Sequence, residues 1–236
     1  MGTPCALSAK GQRRRRLAFA AMASAWGLGS APAARAGGQI EEPLADAVRS
    51  ALSAAVSNSA PPKPAFISTD ARLDYLRWLG EMSTRLRKHH TDAMSRVEFL
   101  ETVWYESKRA GLEPALVLGL VQVESAFRKY AISSVGARGY MQVMPFWTRL
   151  IGNGDPSSLF HMQTNLRFGC VILRHYLDRE RGDLFMALGR YNGSRGQPQY
   201  PNAVFAASKV WDWKEGAPPA PSPVPGVPAE RVQGGS

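Results

Sequence analysis

Pro114 opens a run of Ala115, Leu116, Val117, Leu118, Gly119, Leu120, Val121 and Val123 that is apolar on every side of a helix and ends directly on Glu124-Ser125. A helix without a polar face is packed all round, so other parts of the chain must enclose this one. Pro114 suits the first helical position, where a missing N–H costs nothing. The surrounding segments are helical in period as well. Leu73, Leu76, Leu79, Met82 and Leu86 mark one stripe, and Ser95 with Glu98 predicts a capping box for a second helix faced by Val97, Leu100, Val103 and Trp104. Pro145 opens a short fourth helix after the Pro114 one. Leu166, Cys170, Leu173 and Leu177 stripe a fifth, Asp183 starts a sixth, and Asn202 to Trp213 predicts a seventh. No stretch alternates with period two. Residues 66–213 are therefore expected to form one all-α domain with irregular loops.

The flanks read differently. Lys10 and Arg13 to Arg16 precede a short apolar stretch from Leu17 to Leu28, followed by small residues and Ala34-Arg35-Ala36. That order predicts a cleavable export signal over residues 1–36, cut after Ala36, and so a periplasmic protein. The paired arginines also permit a twin-arginine route. The apolar stretch falls short of the ~18–20 residues that span a bilayer. The whole chain carries 29 Lys plus Arg against 19 Asp plus Glu, a formal charge of +10; loss of Lys10, Arg13, Arg14, Arg15, Arg16 and Arg35, with no acid among them, lowers it to +4. Most of the apparent nucleic-acid signal leaves with the signal segment, and the balance that remains suits an anionic envelope polymer. Cys5 leaves too, so Cys170 has no partner for an intrachain disulfide and, on a helix stripe, reads as a small core residue. Residues 37–65 are expected to hold a helix, with Ile40, Leu44, Val48, Leu52 and Val56 four apart, and a linker around Pro61-Pro62-Lys63-Pro64. Residues 214–236, with Pro218, Pro219, Pro221, Pro223, Pro225 and Pro228, read as a disordered tail.

Glu124 is the residue whose setting points to chemistry. The C-terminal end of a helix disfavours negative charge, and apolar surroundings disfavour it further. Both raise the affinity of Glu124 for a proton, as a general acid at neutral pH requires. A structural Glu paired with Arg128 is the alternative reading. The chain then passes through a tight polar loop, Ala131 to Gly139, whose two glycines can take positive φ, and returns to a helix through Tyr140-Met141-Gln142-Val143-Met144-Pro145. His89, His90, His161 and His175 lack any metal-ligand spacing, and no phosphate-cradling motif is present. No cofactor or metal is expected.

Glu124-Ser125 with Phe127, then Ala131, Ser133, Gly136-Ala137-Arg138-Gly139-Tyr140-Met141-Gln142-Val143-Met144-Pro145, then Asn165, Gly169, Tyr176-Leu177 and Tyr191-Asn192, is an ordered series that resembles the lytic transglycosylases of the soluble (SLT) type. The resemblance covers residues 110–195. It departs at Tyr140, where the family usually has Leu, and at Arg190 and Gly193-Ser194, which bear on sugar-subsite preference. The resemblance implies a lysozyme-like, goose-type-like fold and cleavage of the MurNAc-β-1,4-GlcNAc bond of peptidoglycan with a 1,6-anhydro product. It implies that Glu124 protonates the departing oxygen and then acts as base toward the C6 hydroxyl of the same sugar. By position it assigns Ser125, Met141, Gln142, Tyr191 and Asn192 to substrate binding, with the Tyr191 hydroxyl orienting the acid. Partners implied are glycan strands and envelope or secretion-machinery proteins, with a monomeric chain and no nucleic acid.

Two carboxylates flank the bond in conventional glycosidases, yet none occurs from Ser125 to Gly154, the next being Asp155. A single-carboxylate mechanism fits that gap. A hydrolytic muramidase on the same fold and a non-catalytic wall-binding protein are the competing readings.

Overall fold

The computed structural model describes residues 38–57 and 66–214. The signal segment, the Pro61-Pro62-Lys63-Pro64 linker and the proline-rich tail beyond Lys214 lie outside the described residues. Eight α-helices are present among them: α1 (Asp46–Ser57), α2 (Thr69–Leu86), α3 (Ala93–Arg109), α4 (Pro114–Ser125), α5 (Phe146–Ile151), α6 (Met162–Arg179), α7 (Leu184–Asn192) and α8 (Gln199–Val210), with a 3-10 turn at Pro156–Phe160 before α6. The described residues contain no strand beyond isolated bridges joining Ile132 to Arg138 and Arg138 to Val143. The all-α expectation holds, and none of these helices is long and apolar enough to cross a membrane.

α4 lies at the centre as its composition requires. Leu116, Val117, Leu118, Gly119, Leu120 and Val121 are all buried, and Pro114 occupies the start of the helix. Its largest partner is α8. The two approach closely at Gly119, where a Cβ would stand 2.6 Å from the backbone nitrogen of Ser208; a side chain there would force the helices apart. Trp211, just beyond α8, donates from Nε1 to Gln122 Oε1 at 2.7 Å and fixes the register of the pair.

Four local expectations are corrected. α1 starts at Asp46, so Ile40 and Leu44 belong to an extended segment before it, and of the proposed stripe only Val56 is buried. In α2 the buried face is Tyr75, Trp78, Met82 and Leu86, while Leu73 and Leu76 are exposed. Aromatic rings decide the rotation: Phe66, Tyr75, Trp78 and Trp104 pack with centroid separations of 4.7–6.2 Å, and their area outweighs that of two leucines. α3 is capped by Asp92, whose carboxylate accepts from Ser95 N at 2.6 Å, so Ser95 lies one turn inside the helix rather than at the cap. α8 begins at Gln199, three residues earlier than its apolar pattern suggests, which places Tyr200 on the helix.

Candidate active site

Glu124 is the penultimate residue of α4 and only 5% exposed. The helix stops because Ala126 and Phe127 both take positive φ, 48° and 62°, in the left-handed region that residues with a Cβ enter at a cost. This reversal turns the chain away and leaves the Glu124 carboxylate facing α8. There the Tyr200 hydroxyl donates to Glu124 Oε1. Oε2 is buried with no hydrogen-bond partner. Arg128 turns elsewhere, donating from Nε to the backbone carbonyl of Ser125 at 3.0 Å, and no ion pair among the described residues involves Glu124. The structural alternative raised by the sequence, a Glu124–Arg128 pair, is not what the fold contains.

Burial pushes the Glu124 pKa up to about 8, against which the Tyr200 bond acts by favouring the charged form; no neighbouring carboxylate contributes. Tyr200 and Tyr191 are in turn held well above the ordinary tyrosine value, first by burial and then by the nearby Glu124 charge. Desolvation thus favours the protonated form of this carboxyl group at neutral pH.

Beside it lies the Tyr140–Met144 loop, tied from three elements. Ser125 Oγ, at the end of α4, is placed to donate to Tyr140 O at 2.7 Å and to Val121 O at 3.1 Å. Asn165, in the first turn of α6, accepts from Met141 N at 2.8 Å and donates to Arg138 O and Leu159 O at 2.8 and 2.9 Å. Tyr191 on α7 donates to Met141 O at 2.7 Å. Gln142 takes φ 48° and its Nε2 donates to Gly139 O and Ala131 O at 2.9 and 3.1 Å, bracing the loop from within.

The site residues named from the sequence are therefore brought together, but several do different work. The hydroxyl on the acid is that of Tyr200, not Tyr191, whose own hydroxyl holds the Met141 carbonyl. Met141 is fully buried rather than lining an open surface. The amide nitrogen expected of Gln142 for sugar is engaged by loop carbonyls, and the Ser125 hydroxyl by backbone carbonyls. Asn192 donates from Nδ2 to Ser194 Oγ at 2.9 Å, while its Oδ1 is buried without a partner. Tyr200 was missed because it lies 76 residues from Glu124, ahead of the helix that the apolar pattern predicts from Asn202 to Trp213; only packing of α8 on α4 joins them.

Comparison with known proteins agrees with the motif series. Residues 101–212 match the family model described as Transglycosylase SLT domain. The chain is 35% identical over 104 residues to the transglycosylase of Enterobacteria phage PRD1, covering 44% of this chain and 38% of that one. It is 39% identical over 74 residues to the membrane-bound lytic murein transglycosylase C of Actinobacillus pleuropneumoniae serotype 5b, covering 31% of this chain and 20% of that one. The match thus spans well under half the length of these relatives. Among solved structures, an inactive mutant of the lytic transglycosylase Slt from Pseudomonas aeruginosa aligns over 74% of this chain and 38% of that one, with a TM-score of 0.45 and 16% identity.

Proposed function

We propose that the chain, whose residues 101–212 match the Transglycosylase SLT domain, is an exported lytic transglycosylase that cleaves the MurNAc-β-1,4-GlcNAc bond of peptidoglycan. Glu124 is its one acid and base. The observation that carries this reading is the buried carboxyl group bonded, among the described residues, to Tyr200 alone and paired with no cation, with its proton affinity raised by burial. In the proposed reaction Glu124 gives its proton to the glycosidic oxygen as the C1–O bond breaks. The carboxylate so formed takes the proton of the C6 hydroxyl on the same muramoyl sugar, and O6 bonds to C1 to close a 1,6-anhydro ring. Glu124 is then protonated again and the atoms balance without water.

The ring closure is intramolecular, so no second molecule has to be recruited; this advantage reaches roughly 7–11 kcal/mol in ideal geometry. Tyr200 is positioned to stabilise the carboxylate between the two proton transfers. Residues 1–36 act as the export signal that delivers the chain to the wall. The Asn192 Oδ1, buried without a partner, is proposed to bind sugar.

The test is digestion of purified sacculi with mass analysis of the released muropeptides. Products lighter by one water than reducing ends are expected from the wild type, and their absence from Glu124→Gln, with turnover lower by roughly 10³-fold or more. Reducing-end products would instead establish a muramidase. Equal release by Glu124→Gln would remove the acid from the mechanism.

A further inference from the structure

Residues Gly38 to Glu42 precede the SLT match and begin two positions after the predicted cleavage point, yet they are bound into the site. Gln39 is only 5% exposed. Its Oε1 accepts from Trp147 Nε1 at 2.9 Å and from Met144 N at 3.4 Å. With both donors on that side, the amide presents Nε2 toward the Tyr191 hydroxyl, where it completes no hydrogen bond of good geometry. Gly38 packs backbone to backbone on Asn192 and Gly193: a Cβ at residue 38 would stand 2.5 Å from the Asn192 carbonyl oxygen. Farther along, Glu41 pairs with Arg149 at 3.3 Å, and Glu42 pairs with Arg179 and Arg190. Four of these five residues thus engage α5, α6 and α7 together.

These attachments fall on the machinery rather than beside it. Ser125, Asn165 and Tyr191 hold the Tyr140–Met144 loop at its start; among the described residues, Gln39 is the one side chain that fixes its end, at the Met144 amide, together with the first turn of α5. Tyr191, which Gln39 faces, lies within electrostatic reach of Glu124. A misplacement of about 1 Å in such an assembly costs roughly 10²-fold in rate. We propose that Gln39 is a positioning residue for the transglycosylase reaction, holding Tyr191 and the Tyr140–Met144 loop in register with Glu124, and that the segment after the export signal is a working part of the site. The inference rests on the function proposed above.

Turnover of soluble peptidoglycan strands by the full exported chain tests it, with melting curves to choose a temperature at which every variant is folded. Gln39→Met keeps the length and loses the acceptor; kcat is expected to fall about 10-fold or more while KM stays within about 3-fold. Gln39→Glu keeps an acceptor in place and is expected to restore turnover to within about 3-fold. The same change moves the alkaline limb of the pH profile upward, because a carboxylate near Tyr191 and Glu124 favours the protonated acid. Gly38→Ala displaces the segment without altering Gln39 and should lower kcat as Gln39→Met does. Wild-type kcat in Gln39→Met and Gly38→Ala, together with an unshifted pH profile in Gln39→Glu, would, even with a lower melting temperature, reduce the segment to a structural brace and overturn the inference alone. Absence of any product from the wild-type chain would overturn the transglycosylase reading and this inference with it.

Discussion

In the unfolded chain Glu124 loses its proton near 4.5, whereas in the fold burial holds it until about 8. Between these values the native state binds more protons than the unfolded one, so this group's contribution to stability falls as pH rises and levels off above 8. Glutamine has no proton to lose, and its Oε1 still accepts from Tyr200. Glu124→Gln is therefore expected to match the wild type near pH 4 and to exceed it by about 4 kcal/mol near pH 7.5, as thermal melts at the two pH values would show. A difference that did not change with pH would mean that the native carboxyl titrates as it does in the unfolded chain. The Tyr200 hydroxyl acts in the opposite direction to burial, since it stabilises the charged form. Tyr200→Phe should accordingly move the alkaline limb of activity upward and lower kcat roughly 10-fold or more, because the carboxylate formed in the first step loses its donor. An unchanged pH profile would separate Tyr200 from the acid.

α4 carries Glu124 and α8 the Tyr200 hydroxyl bonded to it, so the geometry of that pair depends on the contact between the two helices. α4 and α8 meet at Gly119, where added atoms run into the backbone of Ser208. Gly119→Ala gains up to about 1 kcal/mol in helix propensity and loses about 1–3 kcal/mol to overpacking. The expected result is a lower melting temperature, with turnover falling further than the lost folded fraction explains, since Tyr200 moves with α8. Gly80 on α2 is the matched control: no atom lies within 4 Å of a Cβ built there, and Gly80→Ala should be neutral or stabilising by about 0.5–1 kcal/mol. Melting curves for the pair distinguish close approach from mere helix preference. Equal responses would mean that the α4–α8 contact has room to adjust.

Across the molecule, charged side chains join helices that the apolar core alone would leave free to slide. Glu106 on α3 accepts from Arg167 on α6 at 2.7 and 2.9 Å and from Arg109 at 3.2 Å, with Glu106 and Arg167 both buried; a pair of this kind fixes register more than it adds stability. Glu180 links Arg190 on α7 to Arg195 in the following loop, and these arginines hold it down to about 2. The sequence determined the helical class, the central position of α4, the acid at its end and the family motifs, because each depends on a local pattern: an unbroken apolar run, a proline at a helix start, a fixed order of short blocks. It misjudged the buried face of α2, because rotation about the helix axis depends on which neighbouring rings compete for the core. It assigned the hydroxyl beside the acid to Tyr191, and gave no role to Gln39, for the same reason. Tyr200 and Gln39 reach the site from opposite ends of the domain, and their partners are set by close packing between segments distant in sequence. Tertiary structure alone decides such distances, because the energy that fixes them comes from contacts no neighbouring residue in the chain supplies.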